Sequence, residues 1–182
     1  MKPGVRALGI AESYRGAVST LAGVVVRASR VVDGFAFGAC TVGGTDATEA
    51  MAALVDRLDR EDIRFLFVAG IAPAWFNVVD LHALHEATAL PVLSVTFKES
   101  HGLESAIDEA FDGQARETRL ERYRAQPPRS AVEVNDETVF VRSVGVDRDE
   151  IDVVREFTPE GGRPEPVRVA RQAARAADEF RR

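Results

Sequence analysis

The stretch LAGVVVRASRVVDGFAFGACTV, residues 21–42, decides the fold. Both halves are rich in β-branched and aromatic residues. Phe35, Phe37 and Ala39 alternate with Ala36, Gly38 and Cys40, the period of two that marks a strand. Only Ser29-Arg30 separates the apolar run 21–28 from the run 31–42. A parallel connection needs a crossover of about a dozen residues, so these two strands must be antiparallel. Upstream, residues 5–12 (VRALGIAE) read as another strand, set off by the turn Tyr14-Arg15-Gly16. Downstream, the pattern changes at Gly43-Gly44. Ala47, Met51, Leu54, Val55 and Leu58 recur at helical spacing, which predicts a helix over 45–59. Thr45 is the expected N-cap, with Asp46 and Glu49 well placed in the first turn.

From there strands and helices alternate. Residues 63–69 (IRFLFVA) and 91–97 (PVLSVTF) are nearly all apolar, as strands buried on both faces should be. Between them a helix is expected over about 78–88, capped by Asn77 or Asp80. Residues 100–111 read as a helix with Leu103, Ile107 and Phe111 in register, and 114–125 as a charged helix. Gln126-Pro127-Pro128-Arg129 is the best linker in the chain. A short strand (138–144), a helix (147–157), a loop (158–164) and a final helix (165–180) complete the order. Three antiparallel strands, a helix and then a parallel strand–helix–strand unit predict one α/β domain over 1–182: a mixed sheet flanked by helices, the ribonuclease H-like succession. A doubly wound fold would want a helix after the first strand, where the sequence has none.

At 182 residues and 46% apolar, the chain can fill a real core, which excludes general disorder. A lone cysteine, Cys40, excludes an internal disulfide and a cysteine-rich zinc module. No apolar run is long enough to span a membrane and the N-terminus lacks a signal-peptide pattern, so a soluble cytoplasmic protein is expected. The net charge is −6, and Lys2 and Lys98 are the only lysines among 23 bases. Such a balance fits a salt-loving organism or a GC-rich genome. A globally acidic chain gets no long-range help in approaching nucleic acid, yet a local arginine patch can still bind phosphate through bidentate forks.

Nucleases with this element order use carboxylates from different elements to hold two divalent ions about 3.5–4 Å apart. Two carboxylates roughly 4 Å apart repel by about 4 kcal/mol at an effective dielectric near 20, a penalty that Mg²⁺ or Mn²⁺ removes. Glu12 ends the first strand and Asp46 opens the first helix, where such ligands would be wanted; a solvated strand end and a helix N-terminal acid are the plain alternatives. His82, His85 and Glu86 have ligand-like spacing but no visible third partner, and His101 lies on another element. Cys40 reads as a buried structural thiol. Ser13 and Ser19 would need a histidine to act as nucleophiles. Two basic stripes stand out. Arg168, Arg171 and Arg175 share one face of the last helix; Arg116, Arg119 and Arg122 lie with Tyr123 on the helix before the linker. Arginine beside an aromatic suits single-stranded or flipped-base DNA, while a solvated helix face is the competing reading.

The segments GIAES, TVGGTDAT, AGIAPAWFNVVDL, PVLSVTFKES and RPEPVRVA, in this order, resemble the archaeal endonuclease dU family, which is related to endonuclease V. The resemblance runs over about residues 3–175. It implies a ribonuclease H-like fold and Mg²⁺- or Mn²⁺-dependent cleavage of damaged or single-stranded DNA at deaminated bases such as deoxyuridine. On it Glu12 and Asp46 become metal ligands, Lys98 a basic residue near the active site, and Asp80 a family position of open role. Asn77, in FNVVDL, joins Arg168, Arg171 and Arg175 as an expected nucleic-acid contact. One position departs from the pattern: where the fourth strand of the family ends in Asp-Gly, this chain has Ala69-Gly70. Alanine cannot ligate a cation. A nucleic-acid-binding relative without a metal centre is therefore the second reading, and a small-molecule or partner-binding protein the third. Oligomeric state is not legible.

Overall fold

β1 (Arg6–Ser13), β2 (Val18–Arg27) and β3 (Val32–Thr41) form the expected antiparallel meander, with residues 28–31 joining β2 to β3. α1 (Ala47–Leu58) follows, and then β4 (Ile63–Ala69), which pairs with β1 in parallel. A four-residue turn, α2 (Pro73–Phe76), and α3 (Leu81–Thr88) lead to β5 (Val92–Thr96), parallel to β4. The computed structural model describes residues 1–182. Beyond β5 come α4 (Glu104–Ala110), α5 (Gly113–Arg124), β6 (Ser130–Val134), β7 (Glu137–Val144), α6 (Glu150–Glu156) and α7 (Glu165–Phe180). All seven strands belong to one sheet in the order β3-β2-β1-β4-β5-β7-β6. The mixed α/β, ribonuclease H-like architecture expected from element order is therefore present. No helix is long and apolar enough to cross a membrane.

The alternation along β4 shows how the sheet is covered. Leu66 and Val68 face α1 and α3, where Met51, Leu54, Leu81 and Leu84 complete one core. Phe65 and Phe67 face the other way, against Phe157 and Val154 of the α6 region and Val167 of α7. Gly9 on β1 lies directly under the start of α7. A Cβ there would meet the Pro166 carbonyl oxygen at 2.1 Å, so only glycine lets the helix seat on the strand. Thus the GIAES and RPEPVRVA segments, far apart in the chain, touch.

Three local expectations change. Residues 126–129 connect α5 to β6 within the same sheet, and Gln126 is buried, accepting from the Leu81 amide and donating to the Arg122 carbonyl. β6, absent from the sequence reading, pairs with β7 across a turn in which Asn135 and Asp136 are both left-handed (φ 50° and 64°), the geometry of tight hairpins. Thr45 is not the cap of α1. That position falls to Asp46, whose carboxylate points away, and the Ala47 amide is instead satisfied by Asn77 at 2.9 Å. Asp80 caps α3 by accepting from the Ala83 amide.

β3 is the sheet edge, with Phe35 and Phe37 half exposed beside it. Three of its outward carbonyls are covered. Asp33 O accepts from Arg60, Phe37 O from Arg57 and Thr41 O from Asn77. An edge covered in this way resists pairing with another chain.

Candidate functional site

Because β1, β4 and β5 run parallel, their carboxyl ends open at one end of the sheet, where ligands of α/β proteins gather. Two depressions meet there. The smaller, about 310 Å³, lies on the α1–α3 side; Glu12, Ser94, Tyr123, Arg129 and Arg142 line it. The larger is an open groove of about 1380 Å³ on the α7 side. Ala69, Gly70, Thr96 and Lys98 border both. Thr96 Oγ1 at that shared rim is the only buried side-chain polar atom in the chain without a hydrogen-bond partner. A buried hydroxyl left so costs about 1–3 kcal/mol.

The larger groove carries five cations, Arg30, Lys98, Arg163, Arg168 and Arg171, against the carboxylates of Glu137, Glu160 and Glu165. Local charge is therefore positive in a protein of net charge −6. Glu165 partly offsets Arg168, meeting its guanidinium at 2.6 and 2.7 Å. That pair holds the Glu165 carboxyl below its usual range and raises Arg168. Arg163 stacks its guanidinium 4.6 Å above the Phe97 ring. Lys98 is exposed and has no carboxylate partner within salt-bridge distance. Arg175, though exposed, lies outside the groove lining.

The expected metal ligands are built differently. Glu12 is half-buried at the small pocket and accepts from Ser19 Oγ at 2.6 Å. Asp46 accepts from the Thr41 amide (3.0 Å), the Thr41 hydroxyl (2.9 Å) and the Asn77 amide (2.7 Å). Burial raises its pKa, but the Thr41 amide, Asn77 and the Thr41 hydroxyl outweigh it, and the net direction is down. Both acids act on Cys40. Its thiol is pushed up to about 12, first by burial, then by the charges of Asp46 and Glu12. No third histidine, cysteine, aspartate or glutamate joins them in a group that could hold an ion. Ala11 and Ala69, just past the paired Ile10 and Val68 on adjacent strands, pack into one apolar cluster with Ala170 of α7. Mg²⁺ asks for near-octahedral oxygen coordination. Two carboxylates that both already accept hydrogen bonds do not supply it, so the residues present do not fit a two-ion centre.

Other expected residues also have structural positions. Asn77 is wholly buried, and its amide bridges the Ala47 amide, the Thr41 carbonyl and Asp46, so it offers nothing to DNA. Arg119 is buried and donates to the carbonyls of Phe76, Ala115, Gly43 and Gly44; Arg122 reaches Thr45 and Val78. Burial and the neighbouring Arg122 charge lower the Arg119 pKa. These arginines clamp loops instead of facing solvent. The Tyr123 hydroxyl accepts from the Leu103 amide and from Arg142. Ser13 donates to Asp178, and His85 Nδ1 sits 2.6 Å from the Leu90 carbonyl oxygen. Arg30 and Arg163 come from loops with no helical spacing to betray them, and sequence reasoning missed both.

The fold is similar to that of endonuclease V. The Ciona intestinalis endonuclease V, solved with inosine-containing DNA, superposes with a TM-score of 0.66 over 97% of this chain and 87% of its own, at 12% identity, which shows the fold alone. A protein of unknown function from Archaeoglobus fulgidus superposes at 0.83 over 94% and 97%, with 25% identity. The Endonuclease dU family model matches residues 3–178, so the chain belongs to that family. UPF0215 proteins from Methanopyrus kandleri (37% identical, covering 93% of this chain and 89% of theirs) and Pyrobaculum calidifontis (32%, covering 95% and 97%) are similar along nearly their whole length.

Proposed function

We propose that this protein binds DNA along the basic groove at the carboxyl ends of β4 and β5, in the recognition of deaminated bases, and does not cut through a two-ion centre. The observation that carries the reading is the concentration of five cations in one groove of an acidic chain. Lys98 and Arg171 offer unpaired charge to successive phosphates. Arg163, over the Phe97 ring, offers a guanidinium fork, the geometry that recognises phosphate in two bonds. Deaminated-base recognition comes from family membership and from the endonuclease V relative solved with inosine-containing DNA.

A second reading, metal-dependent nicking at deoxyuridine, is favoured by membership of the Endonuclease dU family and by Glu12 and Lys98 lining the same pocket. One experiment separates the two. Labelled oligonucleotides with and without deoxyuridine or deoxyinosine are followed for binding by anisotropy and for nicking on gels, with Mg²⁺, Mn²⁺ or chelator. The binding reading expects salt-sensitive binding and no metal-dependent nicking. Nicking that disappears in chelator and in Glu12→Gln would establish the second reading. Equal binding by wild type and a Lys98→Ala/Arg171→Ala variant would sink the first.

A further inference from the structure

We infer that Trp75 is a stacking platform for a nucleobase of the bound strand; this rests on the nucleic-acid reading above. Ala74, Trp75 and Phe76 are three consecutive non-glycine residues in the left-handed region, with φ of 49°, 54° and 60°. L-residues visit that region singly and at a cost, so the surroundings must impose it. They do. The Ala74 carbonyl accepts from the Gly43 amide at 2.7 Å, and the Phe76 carbonyl accepts from Arg119 Nε at 3.2 Å. Ala74 and Asn77, on either side of the two aromatics, are fully buried anchors.

The imposed turn does not hide the indole. Trp75 packs edgewise on Phe76 and tilted on Phe111, ring centres 6.0 and 5.0 Å away, and Arg119 lies over Phe111 at 3.9 Å. Its ring lies so close to Gly43 that a Cβ there would come within 2.7 Å of an indole carbon. Even so, Trp75 remains 48% exposed. A turn selected for burial would put the largest side chain inside. This one leaves a large aromatic half in water, packed against Phe76 and Phe111.

Position says what covers it. Ile71, Ala72 and Pro73 line the small pocket, whose cations are Lys98, Arg129 and Arg142. Trp75 stands two residues further on, within about 7 Å of chain reach. Of the pocket's cations only Lys98 also borders the basic groove; a strand that runs from Lys98 past Pro73 lays a base against the indole. Base–aromatic stacking tolerates any base, because every base has a π-face, so the platform grips the strand without selecting its sequence.

Trp75 is the only tryptophan in the chain, so intrinsic fluorescence reports this position alone. Full-length protein is titrated with a single-stranded oligonucleotide while indole emission and the anisotropy of an end label are followed together. Quenching should track anisotropy. Trp75→Ala should weaken binding about tenfold or more, and Trp75→Phe should restore most of it. Trp75→Gly, which removes the ring and suits the left-handed backbone, should bind as weakly as the alanine variant while melting no lower than that variant. Normal anisotropy with unchanged emission, or wild-type affinity in Trp75→Ala, would overturn the platform and leave the groove standing. No rise in anisotropy at all would remove the nucleic-acid reading and this proposal with it.

Discussion

Asp46 and Lys98 both sit near the open end of the sheet, yet their surroundings have little in common. Around Asp46 every donor has found an acceptor: Thr41 and Asn77 meet the carboxylate, and Asn77 closes the first turn of α1. Around Lys98 groups are left over. The ammonium lacks a carboxylate partner, the Thr96 hydroxyl has none of any kind, and the groove carries excess positive charge. The difference teaches that residue type does not make a site. A satisfied carboxylate is part of the fold, and ligands go where hydrogen-bonding capacity and charge are unmatched.

The contrast can be broken at four points. Asn77→Ala should have the largest effect, because it orphans the Ala47 amide and removes a donor from Asp46. At about 1–3 kcal/mol per buried group, a loss of about 3 kcal/mol and a melting temperature lower by roughly 6–12 °C are expected. DNA affinity well below the melting point should be unchanged, and a variant that melts normally would show that the cap is dispensable. Lys98→Ala/Arg171→Ala should do the reverse: unaltered melting, about tenfold weaker binding, and a log–log salt dependence shallower by about 1.4, or 0.7 per phosphate contact. An unchanged slope would take the phosphates elsewhere.

Ala69→Asp tests the shared rim. A new carboxylate beside Lys98 should weaken DNA binding several-fold, and Mg²⁺ should raise the variant's melting temperature no more than it raises wild type's. A clearly larger Mg²⁺ response would mean that one acid completes a cation site. Asp46→Asn should give the smallest change, best read against pH. The Asp46 pKa is lower folded than unfolded, so its contribution is full above about pH 4 and is lost as pH falls through the lowered value. The melting difference between wild type and variant should therefore shrink from pH 6 to pH 3. A pH-independent gap would show that the charge contributes nothing.

Much of the fold was legible because its signals are local. Ser29-Arg30 is too short for anything but an antiparallel turn, and the helical spacing from Ala47 to Leu58 allows one reading. β6 was not legible: its five residues include an exposed Glu133, and its turn uses Asn135-Asp136 without glycine. Long-range pairing hides most of the site. Asn77 looks like the cap of the helix that follows it, and it serves one that begins 30 residues earlier. Arg119 and Arg122 have the spacing of a phosphate-binding face, but spacing does not say whether a guanidinium points outward or into a loop. Arg168 and Arg171 could be found because α7 imposes a period, whereas Arg30 and Arg163 reach the groove only through tertiary folding.

The guarded edge of β3 bears on how this protein fails when heated. Arg57 belongs to α1, Arg60 lies just beyond it, and Asn77 holds its first turn, so one helix secures all three blocked carbonyls. If that helix detaches, the outer edge of a ten-residue strand that carries Phe35 and Phe37 is uncovered. Two molecules in that state can zip together faster than either refolds. Thermal inactivation should then be irreversible and steeper than first order in protein concentration, with its onset set by loss of the α1 side of the core.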